Sequence, residues 1–491
     1  MTKPELGAIM KRPSYFYLYA ILILFGGALL RLWQLGHASL WTDENFTSFF
    51  AHAPAKDFFN FLLIDGVHVP FYFMVMRLFP AEPDLVLRLP SAFFGVLSIA
   101  VLMGVVNHLY GSTRLALWAG ALLAFNPYHI WYSRSARPYA LFFLLALAAN
   151  YYFLRLLQGR RSWQLWLLFT LTTMGAYMTH YFAIALPLAQ YITLAFVLRG
   201  QVDFFRKWFV CHLIAGVPLL IWIGALTQQE AISFGIAWIP PVTLADPFVT
   251  IWNLLVGYMG RDSVLYLPAI VIGSALLLMG TGYALRSRRD DVPALYSFWV
   301  IVGALVPVAL ISQFRAVYHD RYFMVMLPAV LLLVLRGSQQ AQWRQWASFL
   351  LVAVLIFGAA TVLIRIANHE EEREGWRAAS RHIERNFQPG DQLMVLNGSS
   401  LIPFRRYTDD SFDPPTIEIE FDEPAPLVAG QRMWVVVRNP NESLHYPFAM
   451  DEFDPFAVDG SKLSEWMRAN RLAWVEQWEY PGITVLLFAA N

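Results

Sequence analysis

Eleven stretches of this chain are apolar over about the length needed to cross a lipid bilayer. A helix spans the hydrocarbon core with roughly 20 residues. Runs of that kind fall at 15–35, 85–108, 114–131, 138–157, 163–179, 181–198, 208–226, 264–285, 294–312, 322–335 and 346–366. Backbone amides in lipid are satisfied only inside a helix or a closed barrel. So many runs of this length predict a bundle of helices. Charge follows the same division: the last 125 of the 491 residues hold 32 of the 71 Asp, Glu, Lys and Arg side chains. The expected architecture is a polytopic α-helical membrane protein with about 11 transmembrane helices in residues 1–366. A small soluble α/β domain is expected in 367–491. With 57% hydrophobic and 14% charged residues, the chain is neither disordered nor a nucleic-acid binder with a basic surface. Its one cysteine, Cys211, leaves no internal disulfide and no cysteine-based metal site. No small-residue cleavage site follows the first run, which reads as a retained helix.

Lysine and arginine near span ends set orientation. Lys3, Lys11, Arg12, Arg155, Arg160, Arg161, Arg199, Arg206, Lys207, Arg286, Arg288, Arg289, Arg336 and Arg344 fall on one side of an eleven-span chain. That side is expected to be the cytoplasm, with the N-terminus there and the C-terminal domain outside the inner membrane. Residues 208–260 hold no Lys or Arg. Two apolar stretches, 68–79 and 248–258, are too short to span and read as helices lying in the interface. The first of them belongs to a long outer loop, 36–84, and loops of that length are usually functional. In the C-terminal segment, a helix at 371–386, strands at 392–396, 416–420, 433–438, 473–479 and 484–488, and a helix at 463–470 suggest the α/β domain.

The residues able to carry chemistry collect on the outer side. Trp41-Thr42-Asp43-Glu44 places two carboxylates just past the first span, where desolvation makes an acid costly. They suit a general base or metal ligand facing a lipid-borne substrate. His68 opens the first interfacial stretch. Arg134 and Arg137 lie in the turn Tyr132-Ser133-Arg134-Ser135-Ala136-Arg137-Pro138-Tyr139, and His319-Asp320-Arg321-Tyr322 precedes the tenth run. Outer arginines run against the positive-inside trend, and phosphate is a natural partner for their bidentate fork. Cations and tyrosines beside two carboxylates suit an anionic lipid whose head group reacts outside. A transporter of lipid-linked sugars would instead place charge near the bilayer midplane.

In order along the chain, Trp-x-Asp-Glu, His-x-Pro-x-Tyr, Leu87-Arg88-Leu89-Pro90-Ser91 and Tyr-Ser-Arg-x-Ala-Arg-Pro-Tyr resemble the GT-C superfamily of membrane glycosyltransferases. Within it, the chain is most similar to the bacterial branch related to protein O-mannosyltransferases and the lipid A aminoarabinose transferase. The resemblance covers the membrane part. It implies an inverting transferase that takes a sugar from a polyprenyl phosphate on the outer face and delivers it to a lipid, glycan or protein acceptor. It implies Asp43 and Glu44 as catalytic residues. His68, Arg134, Arg137, Tyr139, His319, Arg321 and Tyr322 are then expected at the donor phosphate. No cofactor is expected. Ser135 stands where relatives often carry an acid, which weakens the case for a divalent metal without closing it. A flippase of lipid-linked sugars and an O-antigen-type polymerase or ligase are the alternative readings.

Overall fold

The computed structural model describes residues 14–197, 201–228, 239–258, 267–287, 290–340, 344–367, 374–395, 400–418, 428, 430–438 and 472–490. Every apolar run has become helix. Eight helices among the described residues are long and apolar enough to cross a membrane: Tyr15–Leu32, Asp84–Tyr110, Tyr139–Leu157, Val202–Leu226, Leu267–Arg286, Val292–Ile311, Asp320–Gln340 and Phe349–Ala367. The runs at 163–179 and 181–198 are shorter, as Trp163–Tyr177 and as Tyr181–Ile184 joined to Ala185–Val197. Lys3, Lys11, Arg12, Arg199, Arg288 and Arg289 of the orientation argument lie outside the described residues, as does the helix expected at 463–470.

The run 114–131 differs from expectation in being two helices, Thr113–Ala124 and Pro127–Ser133. Pro127 lacks the N–H that would continue the first helix, and Asn126 caps the second by accepting from the His129 amide at 2.8 Å. The break leaves carbonyls facing the bundle interior. Arg31, fully buried near the end of the first span, answers them: its guanidinium donates to Ala124 O at 2.9 Å and Leu123 O at 3.2 Å. A cation at a helix C-terminus also meets the negative end of the helix dipole. Farther along, Leu267–Arg286 and Leu327–Gln340 touch backbone to backbone. A Cβ on Gly280 would overlap the Leu333 carbonyl, and one on Gly337 the Leu276 carbonyl.

The outer loop 36–84 is built from helices Thr42–His52, Phe58–Asp65 and Phe71–Met76. Asp43 and Glu44 therefore sit in the first turn of a helix rather than in a loop. The second interfacial stretch is the helix Asp246–Val256.

All five expected strands are present: β1 (Gln392–Val395), β2 (Thr416–Glu418), β3 (Arg432–Arg438), β4 (Leu472–Tyr480) and β5 (Ile483–Ala490). They form one sheet in the order β2-β1-β3-β5-β4. β1 pairs in parallel with β2 and β3, and β5 runs antiparallel to β3 and β4. The helix Trp376–Asn386 packs on this sheet and buries Trp376, Ala379 and Ile383 with Leu393, Val395, Trp434, Val436 and Val485. A short helix, Leu401–Arg406, was not expected from the sequence.

The sheet domain docks on the outer loop through Asp84 at the head of the second span. Asp84 accepts from Arg377 at 2.5 Å, from Arg406 at 2.9 Å and from the Tyr407 hydroxyl at 2.7 Å. Arg406 continues to Ser48 Oγ at 3.0 Å and Ala81 O at 2.8 Å.

Candidate active site

Asp43 and Glu44 are neighbours on a helix, so their side chains point about 100° apart. Glu44 is fully buried. It grips Arg88 with both oxygens, Oε1 to Nε at 2.9 Å and Oε2 to Nη2 at 2.6 Å. Oε1 also accepts the Ala136 amide at 2.6 Å, and Oε2 reaches back to the Trp41 amide at 3.4 Å. The other Arg88 donors take the carbonyls of Leu35, Ala38 and Ser39. Glu44 thus ties three chain segments together and faces the protein interior. That geometry differs from the shared base role expected of it, since every approach to its carboxylate is taken. Breaking a buried pair leaves an uncompensated charge and costs roughly 3–5 kcal/mol. Glu44→Ala should therefore lower the melting temperature of the purified protein and its level in membranes. An unchanged melting curve would refute this.

Asp43 is placed differently. Trp41, Thr42, Glu44 and Asn45 around it are buried, whereas its side chain is 24% exposed. Two arginines converge on its Oδ2: Arg321 Nη1 at 3.2 Å and Arg137 Nη2 at 3.6 Å. Burial pushes the Asp43 carboxyl up, but Arg137, Arg321 and Arg438 together outweigh it and bring it down to about 2. Asp43 is thus an ionised carboxylate at any neutral pH.

Arg137 is held from several sides. Nη1 donates to Asp43 O at 2.9 Å and to Thr47 Oγ1 at 3.4 Å, and Nη2 lies 2.7 Å from His68 Nε2. Guanidinium can only donate, so Nε2 accepts and the imidazole proton sits on Nδ1. Nδ1 is 2.6 Å from Asp65 Oδ2. His68 is therefore braced by Asp65 on one ring nitrogen and engaged by Arg137 on the other, so both ring nitrogens are occupied within the protein. Its expected place at the donor phosphate becomes, in this geometry, that of a support for Arg137, and Asp65 and Thr47 join the site. Asp65 lies three residues before His68, a spacing that could have suggested the pair.

Arg134, three residues before Arg137, turns away. Its Nη1 donates to the carbonyls of Leu30, Arg31 and Trp33 at 3.1, 3.2 and 2.7 Å, closing the C-terminal end of the first span. The expectation that it binds phosphate alongside Arg137 is not met, because the exposed carbonyls of a helix end claim it. His319 is also a local brace. Its Nδ1 donates to Asp320 Oδ1 at 2.8 Å, beside the start of the turn that presents Arg321. Asp320 is itself fixed by Asn253 Nδ2 at 2.8 Å. The His319 ring also packs beside Tyr322, with centroids 5.6 Å apart.

Tyr139 and Tyr322 stand in an aromatic wall beside the arginines. Arg321 lies over the Tyr322 ring at 5.4 Å and the Trp41 ring at 6.0 Å. Tyr139 packs edge-on against Tyr132, with centroids 4.7 Å apart. His180 bridges the two, 5.9 Å from Tyr139 and 5.3 Å from Tyr322. No cluster of three or more His, Cys, Asp or Glu side chains able to hold a metal occurs among the described residues.

With this geometry in place, the chain can be set beside known proteins. Residues 69–225 match the family described as dolichyl-phosphate-mannose-protein mannosyltransferase. The crystal structure of ArnT from Cupriavidus metallidurans in the apo state superposes over 96% of this chain and 97% of its own, with a TM-score of 0.57 and 13% identity. The chain has the ArnT fold. The same ArnT bound to undecaprenyl phosphate matches over the same shares, with a TM-score of 0.56 and 14% identity. The oligosaccharyltransferase of Archaeoglobus fulgidus, in complex with zinc and sulfate, is similar at a TM-score of 0.51 and 12% identity, over 79% of this chain and 61% of its own. No curated protein matches the sequence. The GT-C resemblance read from the outer-loop motifs is thus reproduced in the fold.

Proposed function

We propose that this protein is an inverting glycosyltransferase that moves a sugar from a polyprenyl phosphate to an acceptor at the outer face of the bacterial inner membrane. The observation that carries this reading is one solvent-reachable carboxylate, Asp43, on whose Oδ2 two buried arginines, Arg137 and Arg321, converge. The ArnT structure that matches along nearly its whole length was determined with undecaprenyl phosphate, which makes such a lipid phosphate the donor class of choice.

In this reaction the Asp43 carboxylate takes the proton of the acceptor hydroxyl or amine. The acceptor's lone pair forms the new bond to the anomeric carbon from the face opposite the phosphate. The bond from that carbon to the phosphate oxygen breaks, and the electron pair leaves with the polyprenyl phosphate. Charge grows on the leaving oxygen, so Arg137 and Arg321 help most in the transition state. Asp65 and His68 keep Arg137 aimed, and the aromatic wall shields the reacting centre from water.

Two experiments test this. Mass spectrometry of glycolipids and glycoproteins from a deletion strain should show one sugar missing from one acceptor, restored by the gene and not by Asp43→Asn. An unchanged glycan profile would refute the reading. The outer location of the C-terminal domain is tested by fusions after Asn491. A phosphatase active only in the periplasm should work there, while a reporter that fluoresces only in the cytoplasm stays dark. A bright cytoplasmic reporter would reverse the orientation.

A further inference from the structure

The helix carrying Asp43 has no Ser, Thr, Asp or Asn at its N-cap, and its own help is limited to Glu44 reaching back to the Trp41 amide. Trp41 precedes it, and indole cannot accept the free amides of a first turn as Ser, Thr, Asp or Asn would. The acceptor comes from the sheet domain, 332 residues away. Glu374 Oε2 takes the Thr42 amide at 2.7 Å and the Thr42 hydroxyl at 2.5 Å. Glu374 is itself buried and locked. Trp376 Nε1 donates to Oε2 at 2.6 Å, Arg438 Nε to Oε1 at 2.8 Å, and Ser39 Oγ to the Glu374 carbonyl at 2.7 Å. A carboxylate at a helix N-terminus also meets the positive end of the dipole. The residue it fixes is the immediate neighbour of Asp43, and Arg438, its ion-pair partner, is one of the cations whose field reaches Asp43.

The domain has other means of attachment, since Arg377, Arg406 and Tyr407 already hold it to Asp84. Glu374 does something those contacts do not: it completes the turn from which Asp43 projects. We infer that Glu374 is a positioning residue for Asp43, so that the site is aligned only while the C-terminal domain is docked. This rests on the reading of Asp43 as the base.

The test uses full-length protein in a complemented deletion strain and in purified form. The variants are Glu374→Ala, Glu374→Gln, Thr42→Val and Arg377→Ala, beside Asp43→Asn. Three quantities are read: the glycoconjugate formed per unit of membrane-inserted protein, binding of undecaprenyl phosphate, and amide hydrogen exchange across residues 42–47. Glu374→Ala should lose roughly 10- to 100-fold in product, the scale of a misplaced catalytic group. It should speed exchange at 42–47 and leave undecaprenyl phosphate binding unchanged. Glutamine keeps an acceptor for Thr42 and should restore most of the product. Arg377→Ala loosens the dock elsewhere and should resemble wild type. If Glu374→Ala is absent from the membrane, Thr42→Val carries the test, with a smaller loss of product and faster exchange at the same residues. Normal product from Glu374→Ala or Thr42→Val, while Asp43→Asn makes none, would overturn the positioning role and leave the base intact. Equal losses in Glu374→Ala and Arg377→Ala would assign the effect to docking in general and overturn it too. Normal product from Asp43→Asn would remove the base reading itself.

Discussion

Asp43→Asn should lower turnover by about 10²–10⁴-fold, the usual scale for a positioned base, while the protein still reaches the membrane. The substitution keeps the size of the side chain and removes its ability to take a proton. Burial alone would raise the carboxyl, yet the arginines around it bring it to about 2, against an ordinary value of 3.8. Because the folded value lies below the unfolded one, the ionised group stabilises the fold at every pH above about 4. That contribution fades as pH falls toward about 2. Neutral asparagine forfeits it and takes from Arg137 and Arg321 the carboxylate they share. Some loss of thermal stability should therefore accompany the loss of rate, and turnover must be expressed per folded molecule. The freed arginines should bind undecaprenyl phosphate at least as tightly as before. Slow turnover with undiminished lipid binding separates a base from a residue that merely balances charge. Near-normal turnover in Asp43→Asn would end the base assignment.

The sequence made the membrane architecture legible because length and apolarity are local properties. The runs survive as helices even where Asn126-Pro127 cuts one in two. The five strands were readable for the same reason, since their apolar residues recur at a period that packs against one helix. The division of labour inside the site was not readable. Asp43 and Glu44 look equivalent in a motif, and only their 100° separation sends one to the opening and the other to Arg88. Arg134 and Arg137 occupy the same short turn, but free carbonyls at the end of the first span capture one of them. Nothing local tells which, because Leu30 and Trp33 lie about a hundred residues upstream. Glu374 shows the same limit in its strongest form. Nothing near Thr42 in the sequence tells that Glu374, 332 residues away, accepts its amide.

Arg137→Lys and Arg321→Lys should both be slow, and to different degrees. Lysine keeps the charge and loses the planar fork. Each charged hydrogen bond lost at the leaving phosphate is worth about 1.5–3 kcal/mol, or roughly 10- to 150-fold in rate. In the resting structure both guanidinia are engaged with Asp43 Oδ2, so a donor phosphate competes with that carboxylate for the same two cations. In the proposed reaction, arrival of the donor would weaken that pairing and so make Asp43 a better base. Arg137 spans Asp43, Thr47 and His68 at once, so its replacement also releases the His68 ring that Asp65 braces. Arg321 reaches Asp43 through one nitrogen and otherwise lies over the rings of Trp41 and Tyr322. The larger loss is expected for Arg137→Lys. Because the interaction strengthens as charge develops on the leaving oxygen, the losses should fall on turnover more than on donor affinity. Donor titration with each purified variant reads both quantities. If both variants kept wild-type turnover, the phosphate would have to be held by other groups, and Asp43 would keep its two arginines throughout the reaction.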